Sequence, residues 1–181
     1  MAGIDEILVP VDFSACSEDV VRQATDLAQR YQARLRILYV LEPLLQAELE
    51  ADPNAGMTAS AEVQLRNYAQ ERFPELVRVA EERGVVCNCS LERGRVPDTI
   101  VATSDRHHVG MIVMGTHGRR GPARAIMGSV AAAVVRRANC PVMTLRFQIK
   151  DDCEETSCVW CVSGMTKLRR SLENSGSCAA H

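Results

Sequence analysis

Aromatic residues are scarce in this sequence. One Trp, three Tyr and three Phe make up 4% of 181 positions. A core must therefore rest on Val, Ile, Leu, Ala and Met, and a hydrophobic fraction of 46% is enough for one domain. A charge excess of either sign is also missing. The formal net charge of −2 removes any whole-molecule electrostatic case for nucleic acid or an anionic membrane, so a basic site would have to be local. No apolar run reaches the roughly 18 residues a membrane span needs. The N-terminus, MAGIDEILVPVD, lacks a basic segment followed by a long apolar one. The expectation is a cytoplasmic chain with no membrane or nucleic-acid partner. Without an export signal, the eight cysteines read as thiols or metal ligands rather than a disulfide framework.

What is present is an alternation of short apolar runs and amphipathic stretches. Ile7-Leu8-Val9 reads as a buried strand stopped by Pro10, with Ser14 as the N-cap of a helix carrying Val20, Val21, Ala24, Leu27, Ala28 and Tyr31 on one face. Leu35 to Leu41 is a second strand, and the β-α-β connection implies parallel pairing. Residues 42–58 are an irregular excursion, with a helical turn expected at Leu44–Leu49. Helical periodicity returns from Ala59 to Arg83, where Pro74 is expected to kink or split the helix and Gly84 to close it. Val85 to Leu91 is a third strand, with Val85, Cys87 and Cys89 on one face and a less buried side opposite. Pro97 and Asp98 start a short helix through Arg106. Met111 to Met114 is a fully apolar, central fourth strand. A helical stripe runs through Val130, Ala131, Val134, Val135 and Ala138, and Cys140 to Leu145 is a fifth strand. Met111, Met114, Met127 and Met143 read as core filler. Five strands alternating with four helical segments give an α/β fold, a single doubly wound parallel sheet with helices on both faces. Such sheets bind ligands beyond the strands' C-terminal ends, where strand order reverses.

Between the fourth strand and the next helix lies Gly115-Thr116-His117-Gly118, then nine residues, then Gly128-Ser129. No Lys follows Gly128, so this is not a Walker A loop, and it is not G-x-G-x-x-G either. Its glycines let backbone N–H groups approach an oxyanion, and Gly128-Ser129 opens a helix whose dipole favours negative charge. Arg119, Arg120 and Arg124 add charge at the rim. From the residues alone, two readings stay open: an anion site, or a basic loop using glycine only to turn.

Five separated stretches stand in a distinctive order: Val9-Pro10-Val11-Asp12, Leu38-Tyr39-Val40, Ile112 to Gly118, Gly128-Ser129 and Cys140-Pro141-Val142. Together they resemble the universal stress protein family, in its ATP-binding branch, over about residues 4–147. The resemblance implies strand order 3-2-1-4-5, a domain at 1–148, and ATP, with Mg²⁺ if its phosphates carry it, at the switch point. It implies that Pro10, Val11 and Asp12 face adenine and ribose and that Val40 touches the base. Met114 would end the strand beneath the site. Gly115, Thr116, His117, Gly118, Arg119, Gly128, Ser129 and Val130 would surround ribose and phosphates. It also implies a homodimer through the edge strand 142–147. One departure is Val109-Gly110, where the family usually has an Asp.

From residue 149 the composition changes, giving a Cys-rich C-terminal extension at 149–181. Cys153, Cys158, Cys161 and Cys178 could supply the four thiolates of a zinc site. The alternatives are an exposed thiol-rich tail, or a Cys158/Cys161 dithiol switch. The function expected is a stress-response protein with ATP as a regulatory ligand. The rivals are a slow ATP hydrolase or phosphotransferase, and a redox or metal sensor acting through the tail.

Overall fold

The computed structural model describes residues 3–14, 16–42, 56–116 and 127–146, without the side chains of 56–62. The compact unit is Met1–Arg146. Its strands are β1 (Glu6–Val11), β2 (Arg34–Leu41), β3 (Cys87–Arg93), β4 (Met111–Gly115) and β5 (Val142–Leu145). Its helices are α1 (Ser17–Tyr31), α2 (Gly56–Glu81), α3 (Val96–Arg106) and α4 (Ser129–Arg137). The strands form one sheet in the order β3-β2-β1-β4-β5, and every pair is parallel. The expected architecture is therefore present. Among the described residues no helix is long and apolar enough to cross a membrane.

Alternation along the strands divides the core into two layers. Leu8, Leu38, Val40, Ile112 and Met114 pack with Ile100 of α3 and with Ala131 and Val134 of α4. Ile7, Val9, Leu35 and Ile37 are fully buried on the other face, which α1 and α2 cover. Helix α1 buries Val20, Val21, Ala24, Thr25 and Ala28, most of the stripe its periodicity gives, but Leu27 is half-buried and Tyr31, at the helix end, is exposed.

Four of the seven aromatic residues meet on the α1/α2 face. Phe13 lies 4.8 Å from Tyr39, 5.8 Å from Tyr68 and 5.5 Å from Phe73 between ring centroids. Phe13 is itself left-handed, with φ 55°, a conformation that costs an L-residue roughly 1–2 kcal/mol. Burial of the ring and three tilted or edge-on contacts, each worth about 0.5–1.5 kcal/mol beyond burial, offset that cost.

Several expectations need correcting. Pro74 does not split its helix, since α2 runs unbroken from Gly56 to Glu81. The proline is exposed, and Ala69, Leu76 and Ala80 around it are buried, so packing holds the helix together where one backbone bond is missing. Ser14 is not the N-cap of α1, which starts at Ser17 with Cys16 in that place. The left-handed Phe13 inserts a turn first. Cys89 is exposed although it shares a face with buried Val85, because β3 is the outermost strand. Met143 is no core filler: it is 39% exposed on the outermost strand β5. The turn expected at Leu44–Leu49 lies outside the described residues.

The Val109-Gly110 departure has a steric reason. A Cβ on Gly110 would sit 2.7 Å from the Cα of Ile4, while the Gly110 N–H donates to the Glu6 carbonyl at 2.9 Å. A larger residue would push the N-terminal segment off β4.

Replacing exposed Pro74 by Ala restores a helix N–H and a strong helix former. Pro74→Ala is expected to raise the unfolding free energy by about 1–3 kcal/mol, read from urea denaturation monitored by circular dichroism. A loss of stability would show that α2 depends on the proline's bend.

Candidate functional site

The site is built where β1 and β4 part. Their pairing runs Ile7↔Met111 and Leu8↔Ile112 and then stops. The next rung, Val9 against Val113, would need the N–H of residue 10 to donate to the Val113 carbonyl. Residue 10 is Pro, which has no N–H. On its other side β1 remains joined to β2 as far as Val11↔Tyr39, and β4 remains joined to β5 as far as Gly115↔Leu145. Pairing between the two halves of the sheet therefore ends at Leu8 and Ile112, and the crevice expected where strand order reverses lies beyond them, at the C-terminal ends of the strands. Continuing the register sets Val11 level with Gly115, so Asp12 and Thr116 leave the sheet on opposite walls of the crevice.

On the β1 wall, Asp12 is half-buried. Its Oδ1 accepts the Ser14 N–H at 3.0 Å and the Ser17 hydroxyl at 3.2 Å. These bonds are the Asx-turn chemistry of a short carboxylate beside its own backbone. They fix the carboxylate at the head of β1, with Phe13 anchored in the aromatic cluster directly behind it. Ser17 and Phe13 are supporting residues that sequence reasoning missed as such. The Asp-x-Ser-x-x-Ser spacing carried the signal for the serines, but nothing local announces a left-handed Phe.

On the β4 wall, Thr116 is buried and closes the loop through its backbone. Its N–H donates to the Leu145 carbonyl at 2.8 Å, and its own carbonyl accepts the Gly128 N–H at 2.7 Å. That second bond brings the start of α4 back to the end of β4, whatever path the intervening chain takes. Gly128 is the N-cap, with φ −70° and ψ 157°, and its carbonyl accepts the Ala132 N–H at 2.9 Å. The N–H groups of Ser129, Val130 and Ala131 precede the first intrahelical bond and so have no acceptor within the helix. The first turn of α4 carries no acidic residue, whereas Arg136 and Arg137 occupy the last turn. The positive end of the dipole is thus left uncompensated by any side chain of its own turn.

Below the crevice, Val40 and Met114 are buried in one cluster, with Met127 and Val130 packed against it. The sheet end of β2, the end of β4 and the start of α4 thereby share a floor. At the far end of α4, Arg137 pairs with Asp98 of α3 and holds that carboxyl below the usual carboxylate range. The structure thus gathers Pro10, Val11, Asp12, Val40, Met114, Gly115, Thr116, Gly128, Ser129 and Val130 around the sheet's reversal. His117, Gly118 and Arg119 lie outside the described residues, as do Cys153, Cys158, Cys161 and Cys178. Among the described residues no group of three or more His, Cys, Asp or Glu gathers to hold a metal.

Comparison with known proteins agrees with this fold. The sequence profile described as the Universal stress protein family matches residues 3–146. A universal stress protein of Methanocaldococcus jannaschii is 28% identical over 146 residues, covering 81% of this chain and 84% of its own. The solved universal stress protein UspA of Lactobacillus plantarum is 26% identical, with a TM-score of 0.64, covering 81% of this chain and all of its own. A universal stress protein from Archaeoglobus fulgidus, solved in complex with dAMP, shares the fold at 24% identity and a TM-score of 0.55, over 77% of this chain and 96% of its own. The chain belongs to the universal stress protein family.

If Pro10 ends the β1–β4 ladder, Pro10→Ala should extend it by one rung. The new amide at position 10 is expected to exchange with deuterium at least tenfold more slowly than an open amide, and stability to rise by about 1 kcal/mol. Fast exchange at that amide would mean that something other than the missing donor parts the strands.

Proposed function

We propose that this universal stress protein holds an adenine nucleotide, ATP, in the crevice between β1 and β4. The nucleotide acts as a regulatory ligand whose output is a conformational change or the binding of a partner. The observation that carries the reading is the Thr116–Gly128 backbone bond, which fastens the uncompensated N-terminus of α4 at the mouth of the crevice. Phosphates suit that helix start, with its oriented N–H groups and positive dipole end. A carboxylate at the head of the neighbouring strand suits ribose hydroxyls, and Asp12 occupies that position. The apolar floor of Val40 and Met114 suits the base. The dAMP held by the Archaeoglobus fulgidus relative supports an adenine nucleotide as the ligand class. His117, Gly118 and Arg119 complete the phosphate side in this reading, and Mg²⁺ would arrive with the phosphates.

The same reading takes the outer edge of β5 as the dimer contact. It also takes residues 149–181 as an extension separate from the nucleotide domain, in which Cys153, Cys158, Cys161 and Cys178 hold one zinc. Stoichiometric zinc is then expected in protein purified without chelators, measured by elemental analysis. Substoichiometric metal would sink that part alone.

The nucleotide reading is tested by extracting small molecules from freshly purified protein and by titrating the emptied protein with ATP. An adenine nucleotide is expected in the extract, unhydrolysed. Asp12→Ala is expected to weaken ATP binding by tenfold or more, since hydrogen bonds to a charged group contribute about 1.5–3 kcal/mol. Ser17→Ala removes only the supporting bond and should leave affinity within about threefold. An empty extract together with no saturable ATP binding would overturn the reading, and steady phosphate release would turn it toward a hydrolase.

A further inference from the structure

Two cysteines on β3 stand apart from the crevice. Cys87 and Cys89 pair with Leu35 and Ile37 of β2, so both lie on the α1/α2 face of the sheet, two positions apart on one strand. The two thiols act on one another, Cys89 raising the titration of Cys87 and Cys87 lowering that of Cys89. Cys89 is exposed and Cys87 half-buried, on an outermost strand that, among the described residues, pairs in the sheet with β2 alone. The Glu81 carboxylate, at the end of α2, acts on Cys87 from nearby and adds negative charge to the same corner. Both cysteines belong to the N-terminal half of β3, whereas the nucleotide crevice lies at the C-terminal ends of the strands.

The pleat decides what such a pair can hold. A rise of about 3.3 Å per residue separates the two Cα atoms by about 6.6 Å. Disulfides favour about 5.5–6 Å and reach their limit near 6.8 Å, so a direct S–S bond would strain the strand. Zinc asks for four ligands, and no third ligating side chain joins this pair among the described residues. A soft monovalent d¹⁰ cation asks for less. Two sulfurs can complete its coordination, a sulfur–metal–sulfur bridge is longer than a sulfur–sulfur bond, and thiolate ligands select Cu(I).

We propose that Cys87 and Cys89 form a two-sulfur Cu(I) site on the open edge of the sheet. Binding forms two Cu–S bonds and releases the remaining thiol protons to water, with no change in the oxidation state of copper or sulfur. The site is independent of the nucleotide reading and of the cysteines beyond residue 150.

The test uses the reduced, metal-free, full-length chain, titrated anaerobically with Cu(I) in competition with a chromophoric Cu(I) chelator. The four cysteines of the extension can also take up copper, so the readout is a difference between proteins. Cys87→Ser and Cys89→Ser are each expected to bind one equivalent of Cu(I) per chain less than the unchanged protein. Cys140→Ser, half-buried elsewhere, is expected to bind the same amount as the unchanged protein. Unaltered urea midpoints verify folding, and Cys87→Ala or Cys89→Ala substitutes for a serine variant that fails this check. Equal uptake by the unchanged chain and both β3 variants would overturn the proposal, as would an equal loss in Cys140→Ser.

Discussion

The missing N–H of Pro10 is the constraint on which the site depends. A proline inside a central strand ordinarily argues against the strand, because the ladder it faces needs the N–H it lacks. In a parallel sheet each residue directs its N–H and C=O to one neighbour only. The bonds of β1 alternate between β2 and β4, and position 10 falls on the β4 side. The β1–β2 ladder therefore passes Pro10 undisturbed to Val11↔Tyr39, while the β1–β4 ladder ends at Leu8↔Ile112. One residue later or earlier, the same proline would have damaged the β2 side, and the crevice would have opened away from the strand-order reversal.

Opening a sheet leaves polar backbone exposed and unsupported, and the two walls stabilise themselves differently. The β1 wall uses side chains. Asp12 gathers Ser14 and Ser17, and the left-handed Phe13 is held by Tyr39, Tyr68 and Phe73. Concentrating four of seven aromatic rings there makes sense in a chain whose core is otherwise aliphatic: a strained backbone needs large, directional contacts to hold it. The β4 wall uses backbone. Thr116 bonds to Leu145 and Gly128 with its own N–H and C=O, and the first N–H groups of α4 have no acceptor within the helix.

Much of this is legible in the sequence. The alternation of apolar runs with amphipathic stretches fixed the α/β class, because strands buried on both faces read as continuous runs such as Ile112-Val113-Met114. The strand order did not follow from periodicity and came from the family resemblance, since pairing is a long-range property. Asp12 and Gly128 were readable because their chemistry is local. The position of Ser14 was misread because a helix start depends on whether the preceding residue can turn left-handed, and Phe13 does so only with ring partners on β2 and α2, 26 or more positions away. The helix is not split at Pro74 for a related reason: propensity gives the cost of the missing bond, while the buried Ala69, Leu76 and Ala80 that offset it belong to tertiary packing. Met143 illustrates the limit of composition, since the same residue type serves as core at Met114 and lies at an edge at position 143.

The sheet also sets how its two ends relate. β2 is joined to β1 from Glu6↔Arg34 to Val11↔Tyr39 and to β3 from Leu35↔Cys87 to Leu41↔Arg93, so the three strands move as one ladder. The divergence lies on the other side of β1, against β4. In the proposed reading, a ligand in the crevice would act on the relation between the β1 and β4 walls. The Cys87/Cys89 corner lies inside the continuous half, beside Leu35 and Ile37, which are fully buried. Interiors packed to crystal density transmit displacement only where two arrangements are available. The ladder from β3 to β1 is continuously paired, while α4 and β5 are tied to β4 through the Thr116 bonds. Under the proposed nucleotide reading, a conformational output from the crevice would be directed toward α4 and β5, and away from β3.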